Sequence, residues 1–445
     1  MPLVCLGLSH HTAPVDVRER HAFPAAKMGE ALVALRDYEA VREALMLQTC
    51  GRLEIYAELE DYESGVHQLK AFLGNFRHGD VSDMDSYMYT LLGTEAIEHL
   101  FRVSTGLDSM LIGEAEILGQ VKDAYVQAQR ARSLGKTLHT LLREALEAGK
   151  AARANTGIGE ASTSIATAAV ACAIEHVGDL SGKSMLVVGA GKMGMQAAGR
   201  LKAEGARVIV VLNRTGRRAR DVAGQLGPVA RAAELPGLIE ALKAADVVVT
   251  STGASHFILT PGNVAEAMLA RPGRPLFVVD IAVPRDVDPE VARIPGVGLV
   301  DIDGLENVVD VTLERRREAI PLVEEIVASH VERFHLWYQS RIAVPVIASL
   351  VQKADTIRET EVARLFARCP ELTERERSLI VGASLTIVSK LLHGAVTKIR
   401  DKAAENHAEA LIHARMLDEL FELESLAGID PAHLVAATVS PDESE

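Results

Sequence analysis

Aromatic residues are scarce in this chain: they make up 4% of 445 residues, with a single tryptophan. Its cores must therefore be built from Leu, Ile, Val and Ala. Cysteine is scarcer still. Cys5, Cys50, Cys172 and Cys369 lie far apart and form no CxxC pair. That excludes a zinc or dithiol signature at the level of sequence and gives no disulfide framework. No ligand cluster with metal spacing is present, so the sequence names no metal ligands. No uninterrupted run of about 18 apolar residues occurs, and the start MPLVCLGLSHHTAP has neither a basic segment nor a cleavage site. A cytoplasmic protein without a membrane segment is the expectation. Positive charge is in deficit as well, with a net charge of −14. A field of that sign repels nucleic acid, so any RNA partner needs local basic patches.

What is present is ordinary in bulk and informative in order. Hydrophobic residues make up 48% and charged residues 24%, as in soluble globular proteins. The length exceeds what one hydrophobic core serves, and two or three domains are expected. Residues 1 to about 145 mix strand-like runs (4–8, 44–47, 53–59) with helical ones (27–35, 97–103). Residues 160–300 alternate five apolar runs, MLVVGAG, RVIVVLNR, DVVVTSTG, PLFVVDIA and VGLVDID, with helical patterns. That alternation predicts βαβ units and a parallel sheet covered on both faces. From about Leu305 the chain reads as helix, with apolar residues three and four apart at Leu350, Ala354, Ile357, Val362 and Leu365. Pro321 and Pro345 would start, kink or interrupt these helices. A charged helical region after a complete sheet domain is most simply an oligomerisation element. The polar tail SPDESE is expected to be disordered.

The middle region carries the most specific local signal. The strand SMLVV runs into Gly189-Ala190-Gly191-Lys192-Met193-Gly194 and then into a helical pattern. In a G-x-G-x-x-G loop the first glycine makes the tight turn, and the second lets the backbone approach a pyrophosphate. The third permits close helix packing, with phosphates at the helix N-terminus. The second strand ends in Asn213, Arg214 and Thr215, with Arg217 and Arg218 behind. An acidic residue there would bond the ribose 2′-hydroxyl of NAD. Its absence, with Arg214 added, favours a 2′-phosphate, hence NADPH. The strand ends Ser251-Thr252-Gly253 and Asp280 to Pro284 fall where the nicotinamide half should lie, although Pro284 and Arg285 equally suit a plain turn.

A hydride-transferring domain needs an electrophile nearby. Cys50 lies in a polar break, TCGR, between two apolar runs, whereas Cys5 and Cys172 lie inside apolar runs. Arg52 could lower its pKa or hold a substrate carboxylate in a planar fork. A thiolate beside a nicotinamide suggests thioester formation followed by hydride reduction to an aldehyde. The residues alone leave Cys50 open between that role and a structural one. A second polar cluster, with Ser109, Glu114, Glu116 and Gln120, interrupts a run of Leu, Ile and Gly after His99. If buried, these groups must hydrogen-bond each other or a ligand.

Six stretches, taken together and in order, resemble the glutamyl-tRNA reductase family: GLSHHTAPVDVRER (7–20), TCGRLEIY (49–56), HLFRVSTGLDSMLIGEAEILGQVK (99–122), GAGKMG (189–194), DIAVPRDVDP (280–289) and KLLHGAVTKIR (390–400). The resemblance implies an α/β plus all-α architecture. An α+β catalytic domain (1–148) would precede a Rossmann-like NADP domain (149–300). A spinal helix and helical dimerisation domain (301–430) and a polar tail (431–445) would follow. It further implies NADPH-dependent reduction of glutamyl-tRNA to glutamate-1-semialdehyde, the first step of tetrapyrrole synthesis by the glutamate route. Cys50 would attack the ester, and Arg52 would bind the side-chain carboxylate of the glutamyl group. Thr49, Gly51, Ser109, Glu114, Ala115, Glu116 and Gln120 would contact substrate. His99 would matter for activity, as acid–base or positioning residue. Implied partners are a second copy of the chain, the tRNA and the glutamate-1-semialdehyde aminomutase.

Two positions depart from the family pattern. Gly51 replaces the usual Asn but keeps the backbone N–H after the nucleophile, a candidate oxyanion donor. Glu116 stands where Gln is usual. Two other readings compete: an NADP oxidoreductase of the shikimate dehydrogenase type, which has no need of the cysteine block, and a non-catalytic NADP-binding paralogue. For the tRNA, the basic clusters are Arg130, Arg132, Lys136, Arg143, Lys150 and Arg153, and then Arg315, Arg316 and Arg317.

Overall fold

The computed structural model describes residues 2–77, 84–159, 164–307, 313–340, 343–405 and 407–423. The tail expected to be disordered lies outside them. The chain forms two compact units, one spanning Pro2–Ala328 and one beginning at Ser329.

The first unit holds two sheets. Strands β1 (Leu3–Ser9), β2 (Val41–Gln48), β3 (Arg52–Leu59) and β4 (Tyr89–Leu92) form an antiparallel sheet in the order β2-β3-β1-β4. β1 and β3 are buried along their whole length. Because a strand alternates faces, Arg52, Glu54, Tyr56 and Glu58 share one face of β3, and all four are buried. Each polar group on that face therefore needs a partner. Glu58 accepts from Thr137 Oγ1 at 2.7 Å. Glu43, on β2, accepts from the backbone N–H groups of Thr137 (3.1 Å) and Leu138 (2.7 Å). A carboxylate thus caps the helix Lys136–Asn155 at the end where its dipole favours negative charge.

The second sheet has six parallel strands, β5 (Ser184–Val188), β6 (Val208–Asn213), β7 (Ala230–Glu234), β8 (Val247–Thr250), β9 (Leu276–Asp280) and β10 (Val297–Val300). Their order, β10-β9-β8-β5-β6-β7, is that of a doubly wound dinucleotide fold. The five expected strands are present. The sixth, β7, reads ARAAE and lies at the sheet edge, partly or fully exposed. It has no apolar run to announce it. Apolar cores cover both faces: Ile165, Val187 and Val249 belong to one, and Leu186, Val188 and Val248 to the other.

The helix Leu313–Ser340 carries Pro321 in its interior, and Pro345 falls in the first turn of the helix Ala343–Arg368. In the second unit, Ala343–Arg368 packs with Glu374–Glu405 and His407–Leu420 around a small core of Ile347 and Ile399. Much apolar surface stays open: Leu379 is 65% exposed, Ile387 67% and Leu391 78%. The segment Glu374–Ile399, with mean hydropathy 1.7 and 6% of it buried, is long and apolar enough by length and composition to cross a membrane. Ser384, Thr386, Ser389, Lys390 and His393 interrupt it, which suits a second protein surface better than lipid. Wild-type protein is expected to sediment as a dimer, and Ile387→Glu/Leu391→Glu as a monomer of unchanged helicity. A wild-type monomer at micromolar concentration would remove the oligomerisation role.

Candidate active site

The hairpin between β2 and β3 presents Thr49, Cys50 and Gly51 at its tip, closed by Thr49 N–H donating to the Arg52 carbonyl at 2.9 Å. Cys50 is half-buried and packs against the apolar core of the parallel sheet. Burial, and then the charge of Glu114, push its thiol up to about 12 against the opposing pull of Arg18. At neutral pH it is a thiol. Arg18, itself buried, donates to the Cys50 carbonyl and pairs with Asp303. Cys5 and Cys172 are buried, as expected, and Cys369 is half-buried.

Arg52 is not an open fork. It is buried, with Nη1 donating to Glu54 Oε1 at 2.6 Å and Nη2 to Asp108 Oδ2 at 2.9 Å. Burial opposes its charge, but Glu54 and Asp108 outweigh burial and hold it protonated. Glu54 also accepts from Tyr89 OH at 2.5 Å and Tyr56 OH at 2.7 Å, and faces His99 Nε2 at 2.8 Å. Burial pushes its carboxyl up, yet Arg52, His99 and Tyr89 together hold it well below the usual carboxylate range. Cys5, Glu54 and His99 bring ligand atoms within 4.8 Å of one another. Arg52 Nη1, 3.5 Å from His99 Nε2, places a cation beside this group.

The helix Thr94–Thr105 ends at Gly106, whose φ of 84° reverses the chain. The loop beyond it carries Asp108, Ser109, Glu114, Ala115 and Glu116. Ser109 Oγ and, on the next helix, Gln120 Oε1 are enclosed without a hydrogen-bond partner among the described residues, which leaves each able to bond a ligand. Ala115 is exposed. Burial, then Glu116, push the Glu114 carboxyl up to about 7. Arg153 is half-buried and donates to the Glu114 carbonyl, so it braces this loop and is no free contact for RNA. Arg130, Arg132, Lys136, Arg143 and Lys150 are exposed. The side chains of Arg315, Arg316 and Arg317 lie outside the described residues.

Sequence reasoning paired neither Glu54 nor Asp108 with Arg52. The signal for Glu54 was available: it stands two residues from Arg52 and two from Tyr56 on a strand with both faces covered. Asp108 gave no local signal. The Gly51 N–H, the candidate oxyanion donor, donates to Thr49 Oγ1 at 3.1 Å.

In the dinucleotide loop, Gly189 has φ 114°. A Cβ on Gly194 would overlap the Gly189 carbonyl oxygen, while one on Gly191 would meet nothing within 4 Å. The tight turn, the close helix and the open approach for a pyrophosphate are therefore all present. Ser251 Oγ, beside Gly189 and Gly194, is enclosed without a partner. These features fit a dinucleotide. At the end of β6, Asn213 Nδ2 donates to the Thr215 carbonyl at 3.1 Å. Arg214, Arg217 and Arg218 are exposed and make no ion pair among the described residues. Thr250 Oγ1 donates to Asp280 at 2.7 Å, and Thr252 N–H to Asp286 at 2.6 Å, bracing the strand-end loops.

Residues from the two sheets meet directly. Glu116 accepts from Gln196 Nε2 at 2.9 Å and lies 3.2 Å from Lys192 Nζ, on the helix after the glycine loop. Glu19 pairs with Arg285 at 2.7 Å. The loop that carries Glu116 and the helix after the glycine loop are thus in contact.

Comparison with known proteins agrees. Residues 6–156 match the family model of the glutamyl-tRNAGlu reductase N-terminal domain, and residues 322–423 that of its dimerisation domain. Residues 171–308 match that of shikimate / quinate 5-dehydrogenase. The glutamyl-tRNA reductase of Moorella thermoacetica is 41% identical over 436 residues, 97% of this chain and 98% of that protein. This chain belongs to the glutamyl-tRNA reductase family. The Bacillus subtilis glutamyl-tRNA reductase is 36% identical over 428 residues, covering 96% and 93% of the two chains. The solved glutamyl-tRNA reductase of Methanopyrus kandleri superposes with a TM-score of 0.50 at 32% identity, covering 94% of this chain and 98% of that one. Family membership gives the N-terminal domain, the pyridine-nucleotide fold and the dimerisation domain their place in one oxidoreductase.

Burial pushes the Asp280 carboxyl up to about 7 and that of Asp286 up to about 6. A raised carboxylate pKa means that the folded chain binds more protons than the unfolded chain between pH about 4 and about 7. The stabilisation is present below that window and lost as pH rises through it. Thermal midpoints should therefore shift in favour of Asp280→Asn, relative to wild type, as pH rises from about 4 to about 7. A pH-independent difference would contradict the assignment.

Proposed function

We propose that this chain reduces glutamyl-tRNA to glutamate-1-semialdehyde with NADPH, through a thioester on Cys50, as the first step of tetrapyrrole synthesis. The observation that carries the reading is the hairpin-tip thiol, packed against the apolar core of the sheet that bears the nucleotide loop. In the first half-reaction Sγ bonds to the ester carbonyl carbon, and the ribose oxygen leaves with the thiol's proton. Glu114, the carboxyl whose charge acts most strongly on Cys50, is held near neutrality, a basicity matched to passing that proton. An entering glutamyl carboxylate would reach Arg52 by displacing Asp108, the more accessible of its two partners. Thr49, Gly51, Ser109, Ala115, Glu116 and Gln120 complete the substrate set, and His99 is positioned by Glu54. A bound nicotinamide would supply hydride to the thioester carbon. With one proton, that gives the aldehyde and the free thiol.

Arg214, unpaired where an NAD site would carry an acid, supports NADPH. Gly189, Ala190, Gly191, Lys192, Met193, Gly194, Asn213 and Thr215 would line the rest of the nucleotide site. We assign substrate handling to residues 1–148, nucleotide binding to 149–300 and dimerisation to 301–430. The helix Lys136–Asn155 carries the chain from the first block into the second. The exposed bases along Ile117–Ala131 and Lys136–Asn155 are the proposed tRNA contacts. The compartment is the cytoplasm, and the aldehyde passes to glutamate-1-semialdehyde aminomutase.

In a single turnover of glutamyl-tRNA with NADPH, wild type should oxidise the nucleotide and form aldehyde, and Cys50→Ser should do neither. Nucleotide binding without acyl transfer in wild type would favour the non-catalytic paralogue. Arg214→Ala should weaken NADPH by at least about tenfold, the scale of one charge-assisted contact to phosphate, and leave NADH within about twofold. Equal loss for both would remove the 2′-phosphate assignment.

A further inference from the structure

Three donors of the site are already engaged. Gly51 N–H donates to Thr49 Oγ1, His99 faces Glu54, and both η nitrogens of Arg52 face carboxylates. Yet addition of a thiol to an ester places negative charge on the carbonyl oxygen. A fixed donor at that oxygen is commonly the largest single contribution to such a reaction.

His10 stands at this place. Its backbone N–H donates to the Gly51 carbonyl at 2.7 Å, which ties the residue to the hairpin tip. A Cβ on Gly51 would lie 3.5 Å from His10 Nδ1 and 3.9 Å from Thr49 Oγ1, so the glycine leaves a gap that the imidazole borders. Nδ1 is enclosed and has no hydrogen-bond partner among the described residues, a state that favours an arriving partner. The His11 ring packs on it, with centroids 3.9 Å apart. Burial, then His11 and Arg52, push the His10 pKa down to about 4, so the ring is neutral at physiological pH and carries one N–H. Neutral imidazole is an effective electrophile toward a carbonyl.

We propose that His10 is a further catalytic residue of thioester formation, donating Nδ1–H to the acyl carbonyl oxygen of an aminoacyl ester as Cys50 attacks it. The inference rests on the reading of the site given above. As the Sγ–C bond forms, the carbonyl π pair moves onto oxygen, where the His10 N–H holds it. Collapse returns the pair and breaks the bond to the ribose oxygen, which leaves with the thiol's proton. His10 is neutral before and after. Gly51 keeps the gap open for the oxygen.

The test is nucleotide-free, single-turnover acylation by glutamyl-tRNA, with the covalent glutamyl-protein counted after acid quench. His10→Ala should slow acylation about 10²- to 10³-fold, as loss of one oxyanion donor does, with half-saturation and the rate of Cys50 alkylation by iodoacetamide unchanged. His10→Asn returns an amide N–H near the Nδ1 position and should recover at least about tenfold of that loss. Gly51→Asn, combined with His10→Ala, places an amide in the same gap and should also recover rate. Acylation of His10→Ala at the wild-type rate, or a parallel fall in alkylation, overturns the proposal while leaving the thioester reading intact. Absence of acylation in wild type overturns both.

Discussion

A buried carboxylate, Glu54, holds the catalytic sheet in working order. Isolated, such a charge would be costly enough to shift its protonation or unfold the strand. It persists because Arg52, Tyr56, Tyr89 and His99 all converge on it. Removing one partner of a buried pair typically costs about 3–5 kcal/mol, so these four side chains are held as one group. The hairpin tip that carries Cys50 ends where β3 begins, at Arg52. The position of the proposed nucleophile is therefore set by the same ion pair that orients His99 and Asp108.

From that anchor the constraint passes to the nucleotide-binding sheet. The helix Val15–His21 contributes Arg18 to the Cys50 carbonyl and to Asp303, and Glu19 to Arg285. On the other side, Glu116 reaches Lys192 and Gln196. Hydride transfer demands that the thioester carbon and the nicotinamide meet within van der Waals distance. Three ion pairs and the apolar packing of Cys50 itself hold the two sheets together for that encounter. Glu116, a departure from the family's usual Gln, makes sense here: with Lys192 opposite, a carboxylate gains an ionic contact that an amide would not.

Much of this was readable in advance, for identifiable reasons. The glycine loop was legible because strand, turn and helix are contiguous, and so was the hairpin cysteine, flanked by two apolar runs. β7 was not, since an edge strand of Ala, Arg and Glu buries too little to need an apolar run. Arg52 was found as a residue type but misread in its surroundings. Its partners Asp108 and Glu54 are set by strand pairing and by a distant loop. Arg153 looked like one base among several on a helix, and only its contact with the Glu114 carbonyl separates it from its exposed neighbours. His10 passed as one of two histidines near the N-terminus until the gap at Gly51 placed it.

The thiol's high pKa looks at first like an argument against nucleophilic catalysis. A thiolate at rest would be alkylated or oxidised by any small electrophile that reached it. A thiol pushed up to about 12 resists both. Its nucleophilicity must then be generated when substrate is in place, and the site has the means. Glu114, near neutrality, raises the thiol while it is charged; once protonated it no longer does so. Taking the thiol's proton thus removes one of the charges that opposed the thiolate, while burial, the larger cause, remains for the substrate's electrophilic carbon to overcome. The same burial that protects the sulfur also strengthens any hydrogen bond to the developing oxyanion, because fixed dipoles act through a low dielectric there. Protection at rest and reactivity with substrate bound come from one cause, the partial burial of the hairpin tip.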